Sequence, residues 1–155
     1  MNTLPAMDKC DAFLAQAREA LSAGRAGEAL AHFVRAVKSR QGEWPSPAEE
    51  AACYAEVGRA YHQAGRPGKA RGFLERALRL RALPPRETAL LLSRAGYVAQ
   101  DLGKLAQAES CYRRSIHLLE RLGETRLGAE VRINLGNLHA RQGASLKMLR
   151  RAREA

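Results

Sequence analysis

The sequence predicts an all-α fold of stacked antiparallel helix pairs, and three observations predict it. Glycines that read as turns, Gly24, Gly65, Gly103 and Gly143, recur 41, 38 and 40 residues apart. Around them the same small and large apolar residues return three or four positions apart, the spacing of one helix face. No stretch sustains period-two alternation, so no sheet is expected. A repeat of this kind is one helix-turn-helix unit, which cannot bury its apolar side alone and needs a neighbour.

The copies align on their turn glycines. The first reads Phe13-x2-Gln16-Ala17-x2-Ala20 before Gly24 and Ala29-x3-Phe33-x2-Ala36 after it. The second, the clearest, reads Tyr54-x2-Val57-Gly58-x2-Tyr61, then Gly65, then Ala70-x3-Leu74-x2-Ala77. The third has Leu92-x2-Ala95-Gly96-x2-Ala99, Gly103 and Ala108-x3-Tyr112-x2-Ser115. The fourth opens with Leu135-Gly136-x2-His139 before Gly143 and then departs. Arg132 stands where the aromatic belongs, and Met148 and Ala152 replace the later small residue and aromatic.

Helices are expected over 7–23, 26–40, 47–64, 67–82, 85–102, 105–122, 125–142 and 145–154. Ser46-Pro47-Ala48-Glu49 reads as a capping box with proline at the first helical position. Pro67 sits just after Gly65, and Pro84-Pro85 ends one helix and admits the next. A glycine inside a helix costs about 1 kcal/mol against alanine. Gly58, Gly96 and Gly136 therefore predict close approach of the paired helix, where Ala70 and Ala108 are small at the facing spacing. The turn glycines suit the left-handed conformation that ends a helix. Phe33, Leu74 and Tyr112 are expected to fill the gap to the next repeat.

This pattern resembles the tetratricopeptide repeat, whose first helix carries aromatic-x2-Leu-Gly-x2-Tyr and whose second carries Ala-x3-Phe. The resemblance runs from about Asp8 to Gly143. The standard unit is about 34 residues, so each copy here carries roughly one extra turn of helix or more; the motif favours this family over HEAT and armadillo repeats of about 40–47. The resemblance implies a right-handed solenoid of about three and a half to four repeats in one domain, 1–155, with repeats near 8–41, 47–83, 85–122 and 124–155. It also implies a protein-binding scaffold or adaptor with no enzymatic activity.

Bulk properties bound the rest. No basic leader precedes an apolar run and no apolar stretch nears 18 residues, so neither secretion nor a membrane span is expected. Cys10, Cys53 and Cys111 are odd in number and far apart, which fits reduced structural thiols in a cytoplasmic setting. The net charge is +10, from 26 basic and 16 acidic residues. Between Arg66 and Arg86 seven basic residues face the single Glu75, and Lys147, Arg150, Arg151 and Arg153 follow near the end. Arg71, Glu75 and Arg79 are spaced for local ion pairs.

Chemistry finds no anchor. His32, His62, His117 and His139 fall at different places in their repeats, no compact metal spacing occurs, and the glycines form no phosphate loop, so no catalytic residue, metal or cofactor is assigned. Nucleic acid is the alternative partner, because basic charge gives sequence-independent affinity. Only eight residues are aromatic, and most occupy repeat-core positions, which leaves few stacking platforms.

In tetratricopeptide proteins the first helices line a concave surface that holds a peptide or a partner helix. Positions one turn apart on that face are Leu14, Arg18 and Leu21; Ala55, Glu56, Arg59, His62 and Gln63; Leu90, Ser93, Arg94, Tyr97 and Gln100; Ile133, Asn134, Asn137 and Arg141. The candidate binding residues are thus Arg18, Arg59, His62, Arg94, Tyr97, Asn134, Asn137 and Arg141. Arginine offers a bidentate fork to partner carboxylates, and asparagine can pair with peptide backbone, so an acidic or amphipathic segment is the expected ligand. The carboxylate-clamp subfamily, which grips chaperone C-termini through Lys, Asn and basic residues, is not matched. Leu14, Arg18, Glu56, Leu90 and Arg94 stand at its positions, and Glu56 would repel a carboxylate. The fourth repeat lacks a polar cap over Leu146, Met148 and Leu149, which predicts fraying, self-association or cover by a further segment there.

Overall fold

The computed structural model describes residues 8–154, among which there are seven helices and no strand. They are α1 (Lys9–Ser22), α2 (Ala26–Arg40), α3 (Pro47–Gln63), α4 (Pro67–Leu80), α5 (Pro85–Asp101), α6 (Leu105–Arg121) and α7 (Thr125–Glu154). The first six starts and ends agree with the expected spans to within two residues. The chain divides into two compact units, one ending at Leu83 and one starting at Pro84. No described helix is long and apolar enough to cross a membrane.

The first unit pairs α1 with α2 and α3 with α4, and α2 packs on α3. Its core gathers Cys10, Leu14, Ala17, Leu21, Leu30, Phe33, Cys53 and Val57. Asp8 caps α1, and the Ser46 side chain accepts from the Glu49 backbone N–H at 3.2 Å, the cap that the Ser-Pro-Ala-Glu sequence predicts. In the second unit α5 pairs with α6 and α6 with α7, around Ala89, Ala99, Ala108, Tyr112, Leu119, Val131 and Leu138. The buried Ser115 hydroxyl donates to the Ala89 carbonyl at 2.7 Å, tying α6 to α5 inside that core.

Two helix pairs close over a glycine. A Cβ placed on Gly58 would stand 2.6 Å from Leu74 Cδ2 and 3.3 Å from the Ala70 carbonyl oxygen. One placed on Gly96 would stand 2.8 Å from Tyr112 Cε1 and 3.2 Å from the Ala108 carbonyl oxygen. Leu74 and Tyr112 are fully buried, so each spans the glycine of its own pair as well as filling the core. Gly136 departs from the expectation: it is exposed, and a Cβ there would meet nothing. The reason is that no second helix folds back onto this part of α7.

The expected turn at Gly143 and separate helix over 145–154 are therefore corrected. α7 runs unbroken for 30 residues, and Gly143 keeps a helical backbone. Ala144, Leu146, Lys147, Met148 and Leu149 are good helix formers, and no proline follows to stop them. Gly24, Gly65 and Gly103 do turn, with φ of 75°, 72° and 70°. In each, the next residue's N–H reaches a carbonyl five residues back, as from Lys104 to Ala99 at 2.8 Å. The turn before α7 is built the same way on Gly123 (φ 70°), with Glu124 N–H bonding the Leu119 carbonyl at 2.9 Å. Gly123 thus makes the break expected between the helices over 105–122 and 125–142, while the separate turn expected at Gly143 does not form.

The glycine contacts generate a paired test. Gly58→Leu should lower stability by roughly 1–3 kcal/mol through overpacking, whereas Gly136→Ala should raise it by up to about 1 kcal/mol through helix propensity. Thermal unfolding of both variants checks this. A second expectation concerns alkali. Burial pushes both the Cys53 thiol and the Tyr112 hydroxyl up to about 12. The folded state holds these groups protonated where the unfolded chain would release the proton. Stability is then complete below about pH 9 and declines as pH rises toward 12. Melting temperatures between pH 8 and pH 11 should fall, and less steeply in Cys53→Ala.

Candidate functional site

Four of the expected binding residues come together in the second unit. Tyr97 and Gln100, one turn apart on α5, face Asn134, Asn137, Ala140 and Arg141 on α7 across a hollow of about 380 Å³. The intervals 134, 137 and 141 keep these side chains on one side of α7, away from the side that Val131 and Leu138 bury. Tyr97 is 47% exposed and lines the hollow beside amides and a guanidinium. Below them the Tyr112 hydroxyl donates to the Gln100 side-chain oxygen at 3.2 Å. Because burial holds that hydroxyl protonated, it remains a donor and fixes how Gln100 presents its amide. Arg94, also on α5, is half-buried and does not line this hollow. Ile133 is 62% exposed but likewise lies outside the lining.

In the first unit the expected residues scatter. Arg18 on α1 donates from Nε to both carboxylate oxygens of Glu56 on α3, at 3.0 and 3.1 Å. Glu56 thereby neutralises the guanidinium that was expected to receive a partner carboxylate. Arg59 and His62 are half-buried on α3, and the Arg59 Nε is buried without a hydrogen-bond acceptor. Leu14 and Leu21, expected to face a groove, are buried in the core.

A second hollow, of about 460 Å³, opens in this unit between α1, the end of α2 and the start of α3. Asp8, Asp11, Leu14, Arg18, Arg40, Trp44 and Glu49 are among its lining residues. Arg40 sits between Asp8 and Asp11, with Asp11 at 3.4 Å, and lies 5.7 Å from the Trp44 ring. Its carboxylates outnumber its cations, so it suits an anionic segment poorly. Sequence reasoning missed this cluster because its members lie 29 and 32 residues apart in the chain. The available signal was an acidic start to α1 and a basic end to its partner helix α2.

Much of the basic charge of α4 is spent internally. Arg76 lies 4.3 Å over the Tyr54 ring and donates to its hydroxyl at 2.9 Å. Arg66 lies 5.2 Å over Tyr61, and Arg71 pairs with Glu75 at 2.7 Å, the pair predicted from spacing. Trp44, Tyr54, Phe73 and Tyr61 form a continuous aromatic run, with centroids 5.8, 5.9 and 5.4 Å apart. These rings pack against one another rather than standing open to bases. Among the described residues no cluster of histidine, cysteine and carboxylate side chains could hold a metal.

Residues 51–82 and 89–118 each match a model of the tetratricopeptide repeat. No curated protein sequence matches the chain. Among solved structures, the nearly identical TPR-like repeats of a kinesin light chain candidate from Podosopora anserina share 16% identity at a TM-score of 0.75, over 90% of this chain and 70% of that one. The first TPR of Spaghetti (RPAP3), bound to the HSP90 peptide SRMEEVD, gives 17% and 0.68 over 89% and 96%. The Sgt2 TPR domain from Aspergillus fumigatus gives 16% and 0.67 over 90% and 82%. At such identities the likeness is one of fold. With α3–α4 and α5–α6 each matched, this chain carries two tetratricopeptide repeats, and it shares the fold of these structures over most of its length.

Proposed function

We propose that this chain is a non-enzymatic protein-interaction module that captures an acidic or amphipathic segment of a partner protein. The observation that carries the reading is the hollow of Tyr97, Gln100, Asn134, Asn137 and Arg141, an exposed ring beside amides and a cation. The amides suit a partner's backbone, the ring its apolar side chains, and Arg141 a carboxylate. A relative in fold, the first TPR of Spaghetti, is bound to a peptide with two adjacent glutamates, which supports a protein segment as the ligand class. The grip must differ, however. Leu14 is buried and Arg18 is held by Glu56, so these positions are not available to receive a terminal carboxylate. An internal segment, not a free C-terminus, fits what remains.

Nucleic acid stays the weaker reading, since the rings beside the basic residues of α4 are packed against them. Peptides selected by display against the full chain should be enriched in Asp and Glu. For the best of them, Asn137→Ala with Arg141→Ala should weaken binding by roughly 1.5–3 kcal/mol, with helicity and melting temperature retained. Arg18→Ala should leave affinity nearly unchanged, because that arginine already has its carboxylate. Calorimetry on the three proteins decides this; equal affinity for the double variant would remove the hollow from the binding surface. Binding of generic RNA or DNA should disappear by about 200 mM salt, and sequence-selective binding that survives it would favour the nucleic-acid reading.

A further inference from the structure

Past Leu138, α7 continues over 139–154 without one buried side chain. Leu138 is fully buried, and beside it His139 pairs with Glu109 of α6 at 3.5 Å. Gln142, Leu146 and Leu149 follow Leu138 at intervals of four, four and three, which keeps them on the same side of the helix. The stripe that packs α7 against α6 therefore runs on into solvent, with Leu146 60% and Leu149 61% exposed. Arg150 and Arg153 lie beside it on the same side of the helix, Lys147 and Arg151 fall on the other side, and Glu154 is the one carboxylate after Leu146.

We infer that this distal stripe docks an acidic amphipathic helix of a partner protein, distinct from the segment held in the hollow. The apolar residues are aligned in a single row, the form in which a ridge of one helix enters the groove of another. The flanking cations call for carboxylates beside the partner's apolar face. A second copy is opposed by the same charges, since pairing two stripes would bring both sets of cations together. Insertion into an anionic lipid surface is disfavoured by how little there is to insert. The segment has three large apolar side chains, no aromatic, and one of the three, Met148, lies off the stripe.

The test uses the full chain and a labelled helix-forming peptide of three heptads, leucine at the core positions and glutamate beside them. A matching peptide with lysine in place of glutamate is the control. Fluorescence anisotropy should show the glutamate peptide binding, more weakly as salt rises, and the lysine peptide not binding. The variant Leu146→Glu/Leu149→Glu should bind at least about tenfold more weakly, as expected for losing more than 1.4 kcal/mol of apolar burial. Its melting temperature should be unchanged, because both leucines are exposed. Equal binding by that variant, equal binding of the two peptides, or no binding of the glutamate peptide overturns the inference. Retention on phosphatidylserine vesicles, or dimers in light scattering, lost in the same variant would then name lipid or a second copy as the occupant.

Discussion

Paired helices in this protein close because a glycine on one lets a large side chain of the other lie across its backbone. Leu74 does this over Gly58 and Tyr112 over Gly96, each with an alanine carbonyl near the same spot. The helix accepts a residue that costs about 1 kcal/mol in isolation because the burial it permits is worth more, roughly 1.5–3 kcal/mol for a leucine side chain. In the first pair Ala17 takes the corresponding position and is fully buried, so the approach there leaves room for a methyl group. Where the contact is absent, as at Gly136, no second helix follows α7 among the described residues.

The same contact reaches the candidate site. Tyr112 closes α5 on α6 with its ring and orients Gln100 with its hydroxyl, so one buried side chain both sets the helix distance and fixes a donor in the hollow. Tyr97 and Gln100 owe their positions to α5, and Asn134, Asn137 and Arg141 owe theirs to α7, which α6 holds through Leu119, Val131 and Leu138. The candidate surface is thus held by packed helices, the condition under which a ligand would meet a lower ordering cost on association.

Charge is distributed by a related logic. Formal net charge is +10, yet Arg18, Arg71, Arg86 and Arg113 each pair with a glutamate, and Arg66 and Arg76 lie over tyrosine rings. Exposed pairs of this kind add little stability, typically under about 1 kcal/mol, but they remove these side chains from the pool that meets a partner. The cations of distal α7 keep their charge uncompensated by neighbours on the same helix, apart from Glu154.

By itself the sequence determined the helix class, six of the helices to within two residues, the turns at Gly24, Gly65 and Gly103, the Ser46 cap and the close approach at Gly58 and Gly96. Each of these rests on local physics: backbone conformation, capping, and spacing on a helix face. Tyr97, Asn134, Asn137 and Arg141 were legible for the same reason, since a face of a helix follows from residue intervals. Only the tertiary structure decided what neighbours do with a side chain. It gave Glu56 to Arg18, buried Leu14 and Leu21, and joined Asp8 and Asp11 to Arg40 across pairs remote in the chain. It also decided that α7 runs straight through Gly143: the good helix formers after it continue the helix, and among the described residues no returning chain packs on it.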